Sequence, residues 1–425
     1  LLWQIKSEVL LQSRRTSGKV NPLNFFRRFF RAAAGVMTAA SLVCGVLVGA
    51  AWYQLPDSFQ VTQGKELELQ TPGISVMDST GQYGSVQEVF ASPEQDRQAT
   101  LMLFDCIPVK TVDVTVSDEK MLIPCGTPFG IKMFTNGVMV VGISDIQSGG
   151  QAVNPAAQAG IRVGDIITEA NGQKINGNSS LSETIQESCG ENVTLKIIRG
   201  QEEILATLDP AKSDTDGSYK GGVWVRDSTA GIGTVTFYDP ETGGFGGLGH
   251  GICDVDTAEL MPLGSGEIVP VIISGVTRGE KGRAGELRGY FSSEAAIGVL
   301  TDNTESGVYG LLNTCPSVHN AVKLAMKQEV RPGPAKILAT VDYTGPQYYD
   351  IMIEKVSYRE DIQTKNLVIR VTDERLLKVT GGIVQGLSGS PIIQNGMLAG
   401  AVTHVFVNDP TRGYGIFAEN MVNGQ

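Results

Sequence analysis

The longest uninterrupted apolar segment of the chain lies near its N terminus, at residues 32–53. This segment, AAAGVMTAASLVCGVLVGAAWY, has no charged residue over 22 positions. As an α-helix it would be ~33 Å long, which is enough to cross the hydrocarbon core of a bilayer. The arginines before it predict a transmembrane anchor with residues 1–31 as a cytoplasmic basic tail and the rest of the chain on the other side. A cleaved signal peptide is the alternative interpretation.

Beyond the apolar segment, short stretches alternate between apolar and polar residues, as in VKTVDVTV at residues 109–116. A period of two is typical of strands with one buried face. Glycine is frequent, at 52 of 425 residues, which favours many turns between short strands. We therefore predict a mainly β protein. Residues 54–106 show a weaker pattern and are interpreted as a linker and processing region, whereas SVHNAVKLAMKQ at 317–328 is the main helical candidate of the C-terminal part.

A more specific pattern, NPAAQAGIRVGDIITEANGQKI, occupies residues 154–175. Its glycines permit tight turns, and Asn171 followed by Gly172 is a strong signal for a two-residue hairpin. The segment resembles a PDZ domain, and the resemblance extends over residues 107–210.

The PDZ resemblance implies a groove for a peptide beside the helix predicted at residues 179–190. In PDZ domains the ligand adds as a strand, and backbone N–H groups of a loop hold its terminal carboxylate. In this chain that loop would be Phe129, Gly130 and Ile131. An internal segment, or the chain's own N-terminal region, is an equally compatible occupant of the groove.

The segment GGIVQGLSGSPII, at residues 381–393, places two serines in a glycine-rich turn. Ser388 fits a nucleophile motif, because the turn can direct the N–H groups of Gly386 and Ser388 at one developing oxyanion. Ser390 is then a bystander. A serine hydroxyl needs an imidazole to remove its proton and works best when a carboxylate orients that imidazole.

The chain has three histidines, which limits the choice of base. His250 is flanked by glycines that can expose its ring, His404 lies among alternating apolar residues typical of a core, and His319 falls in the helical candidate. Because 37 residues follow Ser388, an α/β-hydrolase order is excluded and the order His, acid, Ser remains. Asp373, at the end of an apolar stretch, is the favoured acid, with an ordinary turn or helix-cap aspartate as the alternative.

Charge and cysteine spacing narrow the remaining function classes. The net charge is −11, and residues 1–31 carry +6, so the rest of the chain carries −17. An acidic main body argues against nucleic acid as a partner. The six cysteines show no CxxC or CxxH spacing, so we predict no metal site and no cofactor.

Three segments carry a closer resemblance: GGLGHGI, VTDERLLKVTGGIVQGLSGSPII and GAVTHVFVNDPTRGYGIF. Together with the order of the preceding parts, they resemble the stage IV sporulation protein B serine peptidases of endospore-forming bacteria. The family's His, Asp, Ser triad falls on His250, Asp373 and Ser388. The resemblance implies an N-terminal transmembrane helix, a PDZ domain, and a chymotrypsin-like double β-barrel peptidase domain at residues 215–425.

The resemblance also implies a biological role. Members are exported across the inner forespore membrane into the intermembrane space and cleave themselves near the N terminus, which here falls within residues 54–105. They then cut a membrane protein that restrains an intramembrane protease, and this permits maturation of a sigma factor. The partners would be this protein substrate, the chain's own N-terminal region, a PDZ ligand and the membrane. A catalytically silent PDZ adaptor and a general extracytoplasmic quality-control protease are the alternatives.

Overall fold

The computed structural model describes residues 22–69, 71, 73–78 and 97–424, with backbone alone at residues 22–29, 32, 78 and 97. The chain is mainly β, with one long apolar helix at its N-terminal end. Three β units follow this helix: a small sheet, a mixed unit with two short helices, and a pair of closed barrels.

Helix α1 spans Pro22–Gln54. Its part Ala33–Gln54 is long and apolar enough to cross a membrane, and none of its most apolar stretch is buried against the protein. A signal sequence near an N terminus can also be long and apolar enough to meet this criterion, so both interpretations of this segment stand. The end of the helix contacts the protein body: the Lys110 ammonium lies 5.1 Å from the centre of the Trp52 ring, and the Arg359 guanidinium lies 4.6 Å from that of Tyr53.

A small sheet follows the helix. Its four strands are β1 (Ser58–Thr62), β2 (Ile74–Asp78), β3 (Arg97–Leu103) and β4 (Ile107–Ser117), in the order β1-β4-β3-β2. Alternation in β4 buries Val112 and Val114 against Phe59 and Leu101. The interpretation of residues 54–106 as a linker is therefore wrong for the described residues, and β4 belongs to this sheet rather than to the PDZ unit. Residues 79–96 lie outside the described part of the chain.

The mixed unit is the one whose sequence resembles a PDZ domain. Its elements are β5 (Met121–Ile143), β6 (Ile146–Ser148), β7 (Gln151–Val153), α2 (Pro155–Gln158), β8 (Ile166–Ala170), β9 (Gln173–Lys174), α3 (Asn178–Glu187), β10 (Val193–Arg199), β11 (Glu202–Leu208) and β12 (Ala211–Lys212). Asn171 and Gly172 both have positive φ, at 51° and 75°, and turn the chain between β8 and β9 as predicted. Leu181 and Ile185 of α3 are buried in the core of this unit.

The first barrel is formed by strands from two distant parts of the chain. The elements after the mixed unit are β13 (Tyr219–Lys220), β14 (Val223–Tyr238), β15 (Gly244–Gly247), β16 (Ser265–Thr277), β17 (Glu286–Phe291), β18 (Gly298–Thr304), β19 (Gly307–Leu312) and β20 (Val322–Lys323). The pairs β5-β14, β14-β15, β15-β19, β19-β18, β18-β16 and β16-β5 close a ring. We call this ring barrel 1; its core includes Phe129, Met133 and Phe245.

The second barrel, barrel 2, closes in the order β21-β22-β23-β26-β25-β24. Its elements are β21 (Gly333–Ala339), β22 (Gln347–Val356), β23 (Leu367–Val371), α4 (Glu374–Thr380), β24 (Pro391–Gln394), β25 (Met397–Val405), β26 (Arg412–Phe417) and α5 (Ala418–Asn423), with 3-10 turns at Lys327–Glu329 and Glu360–Lys365. Its interior is filled by aliphatic side chains such as Ile337, Leu367 and Ile392. The predicted double β-barrel is confirmed.

The helix predicted at residues 317–328 is wrong. This segment contains β20 and the start of a 3-10 turn. Leu324, Ala325 and Met326 are buried in succession, so neighbours surround the backbone on all sides rather than along one helical face. Short apolar runs of this kind cannot be distinguished from helix by periodicity alone.

Strands β5 and β14 run side by side through two units. Residues 223–226 of β14 pair with residues 139–143 of β5 in the PDZ-like unit, and residues 228–238 pair with residues 123–134 in barrel 1. A domain boundary drawn between residues 210 and 215 therefore separates barrel 1 from one of its own strands.

Candidate active site

Ser388 stands in the loop that leads into β24. The loop turns at Gly386 and Gly389, whose φ angles are +95° and +94°. A side chain at Gly389 would place Cβ 2.1 Å from the carbonyl oxygen of Thr234, so this position requires glycine. The backbone N–H groups of Gly386 and Ser388 have no hydrogen-bond acceptor among the described residues. These are the two donors that the sequence predicts for an oxyanion.

Barrel 1 holds this loop in place. Thr234 donates through Oγ1 to the Gly386 carbonyl at 2.8 Å and through its backbone N–H to the Ser388 carbonyl at 3.1 Å. Thr236 Oγ1 donates to the Gly389 carbonyl at 2.7 Å. Neither threonine was predicted from the sequence. Their alternate spacing in TVTFY is the signal for this role, because it puts both hydroxyls on one face of a strand.

The Ser388 hydroxyl opens onto a cavity of about 460 Å³ between the two barrels. The same cavity is lined by Gly386, His250, Thr403 and His404, and by residues 229–232 of β14. Ser388 Oγ donates a hydrogen bond to the Thr403 carbonyl at 2.6 Å. Ser390 is fully buried, and its hydroxyl has no partner in the described part of the chain, as suits a bystander.

His250 follows β15 in a tight bend, with φ angles of 64° at Leu248 and 72° at Gly249. Its Nδ1 lies 2.9 Å from the Gly251 carbonyl oxygen. Because a carbonyl can only accept, Nδ1 carries the hydrogen and Nε2 is left free to accept a proton. Burial lowers the pKa of His250 below its ordinary value, and the bond to Gly251 opposes this in part. The ring is therefore a neutral base near pH 7.

The structure places His404 at the site rather than in a core. Its ring centre lies 5.0 Å from that of His250, with the planes tilted by 36°. Desolvation at the cavity wall, followed by repulsion from His250 and Lys365, lowers the pKa of His404 to about 4. His319 is outside the cavity and contacts Tyr348 instead.

Asp373 is not brought to His250. It caps the N terminus of α4 by accepting from the Arg375 backbone N–H at 2.9 Å. The Arg375 guanidinium also binds it, at 2.8 Å, and the Asp350 N–H donates to it at 3.2 Å. Arg375 is the main reason that its pKa is lowered to about 2. Among the described residues, the Gly251 carbonyl is the one hydrogen-bond partner of the His250 ring, so the predicted triad contact is absent from this structure.

The proposed carboxylate-binding residues also lie elsewhere. Phe129, Gly130 and Ile131 are in the middle of β5, paired with β14 on one side and β16 on the other. Phe129 and Ile131 are buried in barrel 1. Their backbone groups belong to the barrel ladder, so they are not a free loop at a ligand groove.

A groove does lie beside α3, but its other wall is the start of β14. This groove, of about 480 Å³, is lined by Leu181 and Ile185 of α3 and by residues 221–225. Residues 223–226 pair with β5 on one edge, and the edge toward α3 has no strand on it in the described part of the chain. The N–H groups of Gly221 and Gly222 have no acceptor among the described residues.

No group of three or more His, Cys, Asp or Glu side chains among the described residues is arranged to hold a metal ion. The cavity is lined by the Ser388 hydroxyl, by the imidazoles of His250 and His404, and by the backbone N–H groups of Gly386 and Ser388.

Comparison with known proteins agrees with this organisation. Residues 217–422 match the family model described as SpoIVB peptidase S55, and residues 129–209 match that of the PDZ domain. Among solved structures, the PDZ domain of an SdrC-like protein from Listeria monocytogenes is 22% identical, covers 21% of this chain and 87% of its own, and has a TM-score of 0.18. The two family models cover consecutive parts of the chain in the predicted order. Residues 217–422 therefore form a serine peptidase region of the SpoIVB peptidase S55 family, and the chain carries a PDZ domain before it.

Proposed function

We propose that Ser388 is the nucleophile and His250 the general base of an endopeptidase. The observation that carries this proposal is the meeting of Ser388, His250 and two unpartnered N–H groups, those of Gly386 and Ser388, in one cavity. Asp373 contributes by capping α4, and the Gly251 carbonyl takes the orienting role that a carboxylate has in a triad.

The reaction begins when the Ser388 hydroxyl turns from the Thr403 carbonyl toward His250. Its proton passes to Nε2 as Oγ bonds to the carbonyl carbon of the substrate. The oxyanion accepts hydrogen bonds from Gly386 and Ser388. The imidazolium gives its proton to the leaving amine as the C–N bond breaks. A water molecule then repeats these steps on the acyl-enzyme, and the acid product leaves with Ser388 restored.

The proposed substrates are proteins outside the cytoplasm. Helix α1 tethers the peptidase to the inner forespore membrane, or directs its export across it, with the catalytic part in the intermembrane space. The enzyme first cuts itself within residues 54–105, of which residues 79–96 lie outside the described chain. It then cuts a membrane-protein target, which triggers intramembrane proteolysis and sigma-factor maturation. The support for this role is the family resemblance together with the apolar helix.

We assign the PDZ ligand site to the groove between α3 and residues 221–225. An extended peptide can add to the unpaired edge of β14, which satisfies backbone groups on both chains. The N–H groups of Gly221 and Gly222 are placed to receive a terminal carboxylate, and Leu181 and Ile185 offer an apolar wall. With this assignment, Gly221 and Gly222 take the carboxylate-binding role that the sequence had indicated for Phe129, Gly130 and Ile131.

The proposal is tested with the full chain in detergent micelles, as parent and as Ser388→Ala. A fluorophosphonate probe reports the reactive serine, and intact mass reports self-cleavage over time. Labelling of the parent alone, with shortening of the parent alone, supports the proposal. No labelling of either protein favours the adaptor, and rapid digestion of added unfolded casein favours a quality-control protease.

A further inference from the structure

Strand β14 connects the PDZ groove to both parts of the active site. Val223 and Val225 pack on the core of the PDZ-like unit and border the groove. Eleven residues beyond Val223, Thr234 holds the Ser388 loop. Residues 229–232, between them, line the catalytic cavity. One continuous strand thus contacts a ligand site, a substrate site and the nucleophile loop.

Arg226 on this strand holds the loop that follows His250. Its guanidinium binds the Asp254 carboxylate through Nη1 and that of Asp256 through Nη2, the latter at 2.8 Å. The Asp254 side chain is fully buried. It also accepts from the backbone N–H groups of Asp256 and Thr257 at 3.0 Å each, which folds the loop around it.

The Asp254 carboxylate is ionised although it is buried. Burial by itself disfavours its charge, but the N–H groups of Thr257 and Asp256 and the Arg226 guanidinium together hold the pKa of Asp254 below its ordinary value. A buried carboxylate that loses its cation is strongly destabilised, so the loop depends on Arg226 for its position. This loop begins at Gly251, whose carbonyl orients the His250 ring.

The neighbouring residue, Asp227, is bound to the groove helix. Its carboxylate accepts a hydrogen bond at 2.9 Å from the backbone N–H of Asn178, the first residue of α3. The ladder between β14 and β5 shifts register between Arg226 and Ser228. Two adjacent residues at this irregularity therefore bind the groove helix on one side and the catalytic loop on the other.

We propose that Arg226 is a positioning residue of the peptidase, and that through it the PDZ groove and the His250 loop move as one coupled element. A peptide strand added to residues 223–226 would shift or fix Arg226 and, with it, the Gly251 carbonyl. The inference rests on the proposed role of His250 and Ser388 as base and nucleophile.

The test compares Arg226→Ala, Arg226→Lys and the control Arg199→Ala in the full chain. Arg199 binds the buried Asp165 at 2.7 Å in the PDZ-like unit, and both arginine side chains are 29% exposed. The control therefore removes an ion pair of the same kind away from the catalytic loop. Labelling rate with a fluorophosphonate is measured between pH 5 and 9, together with the melting temperature.

We expect Arg226→Ala to label ~10²-fold more slowly with a displaced pH profile, since a misplacement of ~1 Å costs about this much. Arg226→Lys should recover part of the rate. Arg199→Ala should lower the melting temperature to a similar extent but keep the parent rate and profile. Equal rates in Arg226→Ala and Arg199→Ala would overturn the positioning role. An unlabelled parent would instead overturn the proposed function, so the two failures are distinguishable.

Coupling is measured in the reverse direction, because linkage between two sites is reciprocal. Hydrogen exchange of residues 178–187 and 223–226 is followed with and without the phosphonate adduct on Ser388. The adduct should change exchange of these segments in the parent and leave them unchanged in Arg226→Ala. Exchange in the parent that is indifferent to the adduct would overturn the coupling.

Discussion

Thr234 in barrel 1 donates a hydrogen bond of 2.8 Å to the carbonyl of Gly386, in the loop of barrel 2 that carries Ser388. A second bond, from the Thr234 backbone to the Ser388 carbonyl, lies on the other side of the nucleophile. The nucleophile loop is thus held by the facing barrel as well as by its own barrel, where the Gly389 N–H donates to the Val402 carbonyl at 2.8 Å. Both barrels therefore contribute to the geometry of the active site.

Replacing Thr234 by valine should slow fluorophosphonate labelling of Ser388 by about 10-fold. Valine keeps the shape of the side chain but removes the hydroxyl, which leaves the Gly386 carbonyl without its donor and costs ~1 kcal/mol. Thr340→Val is the matched control, because Thr340 Oγ1 is also buried and donates to a carbonyl, that of Gly126, at 2.9 Å. Equal labelling of both variants would show that the Thr234 hydroxyl does not position the loop.

Ser388→Ala and Ser390→Ala should behave in opposite ways. The first should lose all labelling with little change in melting temperature. The second should label at the parent rate and melt at the same or a higher temperature, because a buried hydroxyl without a partner is unfavourable. Labelling kinetics and differential scanning fluorimetry on the same samples check both results. Loss of labelling in Ser390→Ala alone would reverse the assignment.

Asp373→Asn distinguishes the capping role from a triad role. Asparagine still caps a helix, so the fold should survive, although the ion pair with Arg375 is lost. We expect labelling within about 10-fold of the parent. A triad aspartate contributes far more, ~10⁴-fold in kcat, and a loss of that size would return Asp373 to the catalytic machinery. Asp350→Asn serves as the control for a nearby carboxylate.

The pH dependence of labelling should follow His250. Burial lowers the pKa of this imidazole below 6.5, so the neutral, basic form persists at mildly acidic pH. The midpoint of the fall in labelling rate should therefore lie below pH 6.5. A rate already halved at pH 7 would contradict the buried, neutral His250 described above.

Stability should decline with acid below pH 6.5, because burial lowers the pKa of both His404 and His250 in the folded protein. The pKa of His404 in the folded protein, about 4, is below the ordinary value of 6.5, so between these values the unfolded chain binds more protons. The free energy of unfolding therefore falls as the pH is lowered from about 6.5 toward 4. His404→Gln should make the melting-temperature profile shallower in this window, with the remaining slope due in part to His250, and leave the profile above pH 7 unchanged. A profile as steep in His404→Gln as in the parent would assign the acid loss to other groups.

Features that depend on a few neighbouring residues could be predicted from the sequence. The Ser388 turn, the glycine bend at His250 and the Asn171 hairpin each depend on a few neighbouring residues, and each lies where the pattern predicted. The position of Asp373 in the sequence could not show what its carboxylate binds. In the structure the carboxylate binds Arg375 and the first turn of α4, and such local partners compete with a distant histidine.

The other differences between the predicted and the observed structure come from strand pairing between distant parts of the chain. The residues Phe129, Gly130 and Ile131 are all buried in β5, and nothing in their order tells that β16 rather than a ligand lies beside them. Of the small sheet, only the alternation in β4 was predicted from the sequence, since one of the pairings of this sheet, β1 with β4, joins distant residues in parallel.

The side-by-side course of β5 and β14 has a consequence for dissecting this protein into parts. Removal of residues 121–210 would take away the PDZ unit and, with it, β5, one of the strands of the barrel that supports His250. Inactivity of such a truncation would report an unclosed barrel rather than a missing ligand site. The PDZ unit and the peptidase are two regions of sequence that fold as a single body.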